Sequence, residues 1–237
     1  MKLSKSCAKI INYIEKKYII SHYYFYRHEI GNKIRMILQY SENDIGLGSK
    51  DQEENALPGF QKYMNSNYYK YMIARYLYSI KYIKNKAVLD SGCGFGWGAF
   101  LISHYPREIV SIDRDQGALD FAVAHWRDKK IIFKNHSVLD LDSLGKRFDV
   151  ILGYELVEHL TFEQCLIYLA QVFTNLKENG MLIMSSYFPR SKNHTEKLQE
   201  NKYHLHIFTQ EEIKNIGKKI GFSKVRFWGD FMVVIRK

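Results

Sequence analysis

Alternating glycines near the middle of the sequence carry its strongest chemical signal. The segment Val88–Gly98 reads VLDSGCGFGWG. Glycine lets a turn adopt positive φ and lets the backbone approach a ligand closely. Asp90 precedes the turn, and Asp113 lies 21 residues after Gly92, where nucleotide-binding folds place an acid that accepts hydrogen bonds from ribose hydroxyls. The turn and its two acids together predict a nucleoside-binding site.

This turn differs from the dinucleotide fingerprint in its spacing. That fingerprint requires G-x-G-x-x-G, and its third glycine position is occupied here by Trp97. The observed spacing is G-x-G-x-G, with an acid on the strand before it. The turn therefore does not match the dinucleotide fingerprint.

The elements that position these residues follow an alternating pattern from Lys86 onward. Amphipathic helices separate short apolar runs, and two helices begin at capping boxes, Thr161 with Gln164 and Thr209 with Glu212. The runs that predict strands are 87–90, 109–113, 131–133, 148–152 and 181–185, followed by a hairpin of 225–228 and 232–235. Asn179-Gly180 is expected to end the helix before the fifth strand. Strands alternating with helices predict a doubly wound, mostly parallel α/β sheet.

The first 85 residues have helical rather than strand periodicity. Apolar side chains recur every fourth residue, at 10, 14 and 18 and again at 68, 72, 76 and 80, around a polar loop of residues 41–59. We therefore predict a helical N-terminal extension or cap, residues 1–85, and a cofactor-binding domain, residues 86–237. The long connection 188–208 is expected to be a lid.

Composition and charge exclude several classes of protein. With 46% apolar and 25% charged residues, the chain is expected to be globular, and the absence of a long apolar run predicts no transmembrane segment. Three widely spaced cysteines favour neither a disulfide framework nor a zinc site, and a cytoplasmic location is expected. The net charge is +10, and residues 1–40 contain eight Lys or Arg against two Glu. A basic arm of this kind suits an anionic partner, although a solvated surface explains it as well.

These motifs resemble the class I S-adenosylmethionine (SAM)-dependent methyltransferases, particularly the type 11 and type 12 groups that act on small molecules and glycans. The resemblance covers Lys86 to about Gly221 and rests on Leu89–Gly96, Ile112-Asp113, Phe148–Ile151, Glu155–Leu160 and Leu176–Leu182. It implies a Rossmann-like, seven-stranded sheet with one antiparallel strand. SAM would lie across the carboxyl ends of the first strands.

The resemblance also implies which residues contact SAM. Asp113 would accept the ribose hydroxyls and Arg114 would flank the adenine. Ser137 stands where many relatives have an Asp for the adenine amino group, Val138 would meet the ring through its N–H, and Asp140 is an alternative acceptor. The resemblance implies further contacts to the methionyl and ribose parts of SAM and at its methyl end. The residues that would make them are Asp90, Gly92, Cys93, Gly94, Gly96 and Tyr154.

A hydroxyl acceptor would require a general base. Tyr154, Glu155, Glu158 and His159 follow the fourth strand, beside the expected methyl end of the cofactor. His204 lies in a Tyr-His-x-x-x-Phe-Thr stretch that resembles the acceptor loop of methyltransferases acting on glycans and small molecules. We predict His204 as the base or an acceptor ligand, with His159 as a second catalytic candidate or a buried histidine. No metal is expected.

The acceptor itself is only partly constrained. An Asn- or Asp-Pro-Pro-aromatic motif, typical of amino-methylation of bases, is missing after the fourth strand, where the sequence reads Gly153-Tyr154-Glu155-Leu156. The leading hypothesis is methylation of a hydroxyl on a small molecule, sugar or glycan, and the charge is compatible with an anionic acceptor. Two alternatives stay open: an RNA methyltransferase that uses the basic N-terminal region, and a non-catalytic regulatory subunit with a SAM-binding fold.

Overall fold

The computed structural model describes residues 27–41, 56–66, 68–190 and 203–237. Seven helices are found in these ranges: α1 Arg27–Leu38, α2 Gln61–Asn65, α3 Tyr68–Ile83, α4 Trp97–Ile102, α5 Gln116–His125, α6 Phe162–Asn175 and α7 Gln210–Ile220. The seven strands are β1 Ala87–Ser91, β2 Glu108–Asp113, β3 Ile131–Asn135, β4 Phe148–Tyr154, β5 Leu176–Ser185, β6 Lys224–Trp228 and β7 Met232–Arg236. Short 3₁₀ helices at Leu141–Leu144 and Val157–His159 flank β4.

All seven strands form one sheet in the order β3-β2-β1-β4-β5-β7-β6. The first five pair in parallel, whereas β7 runs antiparallel to both of its neighbours, β5 and β6. The predicted doubly wound, mostly parallel sheet is therefore confirmed, and so are the terminal hairpin and the single antiparallel strand. Strand order reverses between β1 and β4, so the carboxyl ends of β1, β2 and β4 border the crevice where open α/β sheets bind ligands.

Helices cover both faces of this sheet. On one face α1, α3, α4 and α5 share a hydrophobic core with Val88, Val150 and Val234. On the opposite face α6 and α7 pack against strand residues such as Leu89 and Ile151. Neighbouring residues of β1 thus enter opposite cores, as the two-residue period of a strand requires, and all five residues of β1 are buried. This burial fixes the strand that leads into the glycine turn.

The helix before β1 is an integral part of the first core. Eleven of the sixteen residues of α3 are buried, and the helix contacts α4 and β4. The Tyr71 hydroxyl also donates to the Phe231 carbonyl at 3.3 Å, next to β7. The boundary at residue 85 between an N-terminal extension and a cofactor domain stays a prediction. The periodic residues 10–18, most of the predicted loop 41–59 and residues 191–202 of the predicted lid lie outside the described residues.

The junction of α6 and β5 differs from the prediction. Asn179-Gly180 was expected to end the helix, but α6 ends at Asn175 and β5 begins at Leu176. Leu176 pairs with Phe148 of β4, and the register then shifts before Met181 pairs with Val150. Asn179 has a positive φ of 60°, so the Asn-Gly pair forms an irregularity in the strand. Both predicted capping boxes are present, at Thr161 and Thr209.

In the described part of the chain, none of the helices has both the length and the apolar character needed to cross a membrane.

Candidate functional site

The glycine turn lies at the carboxyl end of β1 and requires glycine for its backbone geometry. Gly92, Gly94 and Gly96 all have positive φ, between 51° and 70°. A Cβ on Gly96 would lie 2.5 Å from the Phe133 ring and 2.8 Å from Ala122, so sterics reinforce the requirement. The Gly92 and Cys93 N–H groups donate to the Ile112 carbonyl of β2. The turn is therefore tied directly to the end of the neighbouring strand.

Asp113 at the end of β2 faces this turn. Its carboxylate accepts hydrogen bonds from the Gly94 N–H at 2.7 Å and from the Asp115 N–H at 3.0 Å. Partial burial raises the pKa of Asp113, although these backbone hydrogen bonds act in the opposite direction. The structure thus brings together the two features that the sequence predicted for one nucleoside site.

Asp90 is the second acid of the site and is almost completely buried, with 1% of its surface exposed. The Tyr76 hydroxyl donates to both of its carboxylate oxygens, at 3.2 and 3.3 Å. Burial raises the pKa of Asp90 to about 7, against the opposing effects of the Tyr76 hydrogen bond and the Arg75 charge. A buried carboxylate of this kind is stabilised in its charged form by a nearby cation. The sequence did not predict this hydrogen bond to Asp90 from Tyr76, which lies 14 residues earlier in the chain.

The Tyr76 ring packs directly against the backbone of Gly98, in the space that a side chain at this position would occupy. A Cβ on Gly98 would lie 1.9 Å from that ring. Tyr76 also makes edge contacts with the rings of Trp97 and Tyr154, at centroid distances of 4.9 and 4.7 Å. Gly98 therefore serves packing, and it allows α3 to approach α4 closely enough to reach Asp90.

A second polar network joins α3 to the end of β4. Arg75 forms an ion pair with Glu155 at 3.1 Å, while the hydroxyls of Tyr68 and Ser185 donate to the same carboxylate at 3.1 and 2.7 Å. Glu155 has a positive φ of 49°. The carboxylate of Glu155, a candidate base in the sequence, is thus engaged by one cation and two hydroxyl donors. Tyr154 beside it is buried, and its hydroxyl donates to the Arg75 carbonyl at 3.0 Å.

The two predicted catalytic histidines lie next to each other beyond β4. The rings of His159 and His204 are 5.4 Å apart and nearly perpendicular, at 76°. The His159 Nδ1 lies 3.2 Å from the Tyr203 carbonyl, and the Leu205 N–H donates to the Glu158 carbonyl at 2.8 Å. These contacts attach the segment that contains His204 to the 3₁₀ helix that contains His159. His159 and Tyr203 are 44 residues apart in the sequence.

Glu158 is a buried neighbour of His159 and His204. Only 4% of its surface is exposed, and burial, reinforced by the charge of Glu155, raises its pKa to about 8. Ligand atoms of Glu158, His159 and His204 all lie within 4.8 Å of one another. The structure therefore gathers one acid and two imidazoles at the carboxyl end of β4.

The predicted adenine contacts are more exposed. Arg114 follows Asp113 at the surface, and its carbonyl accepts from the Asn135 side chain at 3.1 Å. The Ser137 hydroxyl accepts from the Leu139 N–H at 3.1 Å, and Val138 is half-buried in the same loop. This loop is joined to β2, because the His136 N–H donates to the Asp113 carbonyl at 2.9 Å. Contact of these residues with adenine stays a prediction.

Cys93 has no exposed, activated thiol. It is buried within the turn, and burial raises its pKa well above the ordinary value. The thiolate is the nucleophilic form of cysteine. Cys93 is therefore placed to shape the turn through its backbone.

Comparison with known proteins agrees with this geometry. A family model described as a methyltransferase domain matches residues 61–226. A "probable S-adenosylmethionine-dependent methyltransferase" of Mycobacterium tuberculosis is 25% identical over 146 residues, which are 61% of this chain and 51% of that protein. A ubiquinone biosynthesis O-methyltransferase of Azorhizobium caulinodans is 26% identical over 110 residues, 46% of this chain and 43% of the relative. The chain spans about half the length of the curated relatives it matches.

Solved structures show the same fold. A SAM-dependent methyltransferase from Archaeoglobus fulgidus superposes with a TM-score of 0.60 at 19% identity, covering 70% of this chain and 93% of the other. An O-methyltransferase family protein from Burkholderia thailandensis gives a TM-score of 0.60 at 11% identity, covering 90% and 69%. Because the family model covers well over half of the sequence, this chain belongs to the methyltransferase domain family.

Proposed function

We propose that this protein transfers a methyl group from SAM to a hydroxyl of a small molecule, sugar or glycan. The observation that carries the proposal is the convergence of the glycine turn, Asp90 and Asp113 at one edge of the sheet, with Glu158, His159 and His204 beyond the adjacent strand β4. These two groups lie at the ends of adjacent strands, which supports a donor site next to a site for proton transfer. The relatives named as O-methyltransferases support a hydroxyl acceptor.

The residues of the donor site fit SAM by their chemistry. SAM carries an ammonium and a sulfonium, and its methyl group is already activated for transfer to a nucleophile. The buried Asp90 carboxylate would be stabilised by such positive charge, and Asp113 presents carboxylate oxygens at the position where ribose hydroxyls are bound in related folds. The turn from Gly92 to Gly96 contains no lysine or arginine, in keeping with a nucleoside that has no phosphate.

The chain itself would contribute alignment, exclusion of water and removal of a proton. Holding the acceptor oxygen in line with the methyl carbon supplies most of what such a transfer requires. His204 and His159 are the proposed proton acceptors, or ligands, for the acceptor hydroxyl, since a base must lie within hydrogen-bond reach. Arg75 and Glu155 would keep α3 fixed over the site.

The direct test is a methyl-transfer screen with isotopically labelled SAM. The pools are sugar nucleotides, glycans, small phenols and RNA, and we expect label in a hydroxyl-bearing small-molecule or glycan pool. His204→Ala should lower transfer, whereas His104→Ala, which changes an exposed histidine paired with Glu29, should not. Label in RNA, with affinity falling steeply as salt rises, would replace this proposal by the RNA alternative. Binding of SAM without transfer to any pool would favour a regulatory subunit.

A further inference from the structure

A group of three side chains beyond β4 has the composition and spacing of a metal site. Glu158, His159 and His204 each offer a ligand atom, and these atoms all lie within 4.8 Å of one another. Two imidazoles and one carboxylate are a common set for a catalytic divalent transition metal, which keeps at least one coordination position open. Mg²⁺ and Ca²⁺ prefer sets made of oxygen alone. The sequence predicted no metal, because it showed no cluster of carboxylates and no cysteine spacing typical of a zinc site.

The state of Glu158 is an independent indication of a ligand. Only 4% of the surface of Glu158 is exposed, and the Glu158 Oε2 atom has no hydrogen-bond partner among the described residues. A buried carboxylate oxygen without a partner is costly unless something binds it. Glu155, three residues earlier, is different, because Arg75, Tyr68 and Ser185 occupy its carboxylate.

His159 is also positioned by a contact typical of metal ligands. A carbonyl oxygen only accepts hydrogen bonds, so the contact with Tyr203 O at 3.2 Å places the proton on His159 Nδ1. The lone pair is then on Nε2, and such a second contact is the usual way in which a ligating histidine is oriented. The backbone bond from Leu205 N–H to Glu158 O, at 2.8 Å, holds the residue next to His204 against the same 3₁₀ helix.

We infer that Glu158, His159 and His204 bind one divalent transition-metal ion, of which Zn²⁺ is the best match, next to the methyl-acceptor site. The inference rests on the proposed function only for the ion's role, which would be to orient the acceptor hydroxyl and lower its pKa. His159 and His204 would then act as ligands, and the hydroxyl proton would leave to solvent.

Metal binding by the full chain tests this inference. Protein stripped with a chelator is titrated with Zn²⁺ or Co²⁺, and the bound ion is counted by elemental analysis and followed by the visible absorption of Co²⁺. We expect about one ion per chain, together with a higher melting temperature in its presence. Glu158→Gln and His204→Ala should each weaken binding at least about tenfold, since losing even an outer partner of a ligand costs about 10–100-fold.

His104→Ala is the matched control, because it removes an exposed histidine far from the three ligands in sequence and should bind the ion as the wild type does. Binding below about one equivalent in the wild type, or equal affinity in the wild type and both ligand variants, would overturn the inference. The wild-type titration decides the question even where a variant fails to fold. SAM calorimetry on the stripped protein separates the two proposals: SAM binding without metal binding refutes only the metal site, and loss of both refutes the proposed function as well.

Discussion

As a proposed contact of SAM, the buried carboxylate of Asp90 should make SAM affinity depend on pH in a defined direction. Burial raises the pKa of Asp90 from 3.8 to about 7. At 1.36 kcal/mol per pKa unit, the folded protein favours the neutral acid over the carboxylate by roughly 4 kcal/mol more than water does. Positive charge on SAM would favour the ionised form. SAM affinity should therefore fall as pH falls through 7, by about tenfold per pH unit once Asp90 is mostly protonated.

The stability of the ligand-free protein should change in the opposite direction. A raised pKa in the folded state means that Asp90 contributes stability below its unfolded pKa, and that this contribution is lost as pH rises through the folded pKa. Titration of Asp90 should thus decrease the free energy of unfolding between about pH 4 and about pH 7. Bound SAM should restore part of the lost free energy of unfolding. Denaturant unfolding with and without SAM at each pH measures both effects.

Calorimetry at constant ionic strength between about pH 5.5 and about pH 7.5 is the assay for the affinity. Repeating it in two buffers of different ionisation enthalpy counts the protons released on binding. Asp90→Asn should bind weakly with little pH dependence, and Tyr76→Phe should move the midpoint upward, because the Tyr76 hydrogen bond lowers the Asp90 pKa. Asp120→Asn, at an exposed position on α5, is the control. If Asp90→Asn kept the wild-type pH dependence, the reasoning would be refuted.

Three further predictions concern the stability of the helices around the site. Gly98→Ala should reduce the free energy of unfolding by about 1–3 kcal/mol, because its Cβ would overlap the Tyr76 ring. Gly31→Ala in α1 should raise it by up to about 1 kcal/mol, because nothing lies within 4 Å of the added Cβ. Denaturant unfolding checks both, and equal effects of the two changes would contradict the packing described for Tyr76. Thr161→Ala removes the capping box of α6 and should cost about 1 kcal/mol in the same assay, with SAM affinity unchanged; an unchanged midpoint would be the contrary outcome.

Local signals explain why much of the fold could be predicted from the sequence. The capping boxes at Thr161 and Thr209 and the turn from Gly92 to Gly96 each depend on residues within a few positions. The alternation of strands and helices then determined the fold class. The end of α6 was predicted wrongly, because pairing of Leu176 with Phe148 in the sheet outweighed the local preference of Asn179-Gly180.

The polar networks of the site could not be predicted in this way. The bond from Tyr76 to Asp90 and the ion pair of Arg75 with Glu155 join residues on different elements. Such contacts depend on how α3 packs against the sheet, and they cannot be predicted from the spacing of residues in the sequence. The same holds for Glu158 and His204, which meet only because the chain returns after β5. The sequence indicated candidate residues, and the structure showed which of them lie close together.

The edge formed by the carboxyl ends of β1 and β2 is the proposed SAM-binding site. Calorimetry of SAM binding to the wild type, Asp113→Ala and Asp120→Asn, each first shown to be folded, tests it most directly. We predict one SAM per chain for the wild type and Asp120→Asn, and no measurable binding for Asp113→Ala. A folded wild-type protein that does not bind SAM, or an Asp113→Ala variant that binds it equally well, would contradict the account.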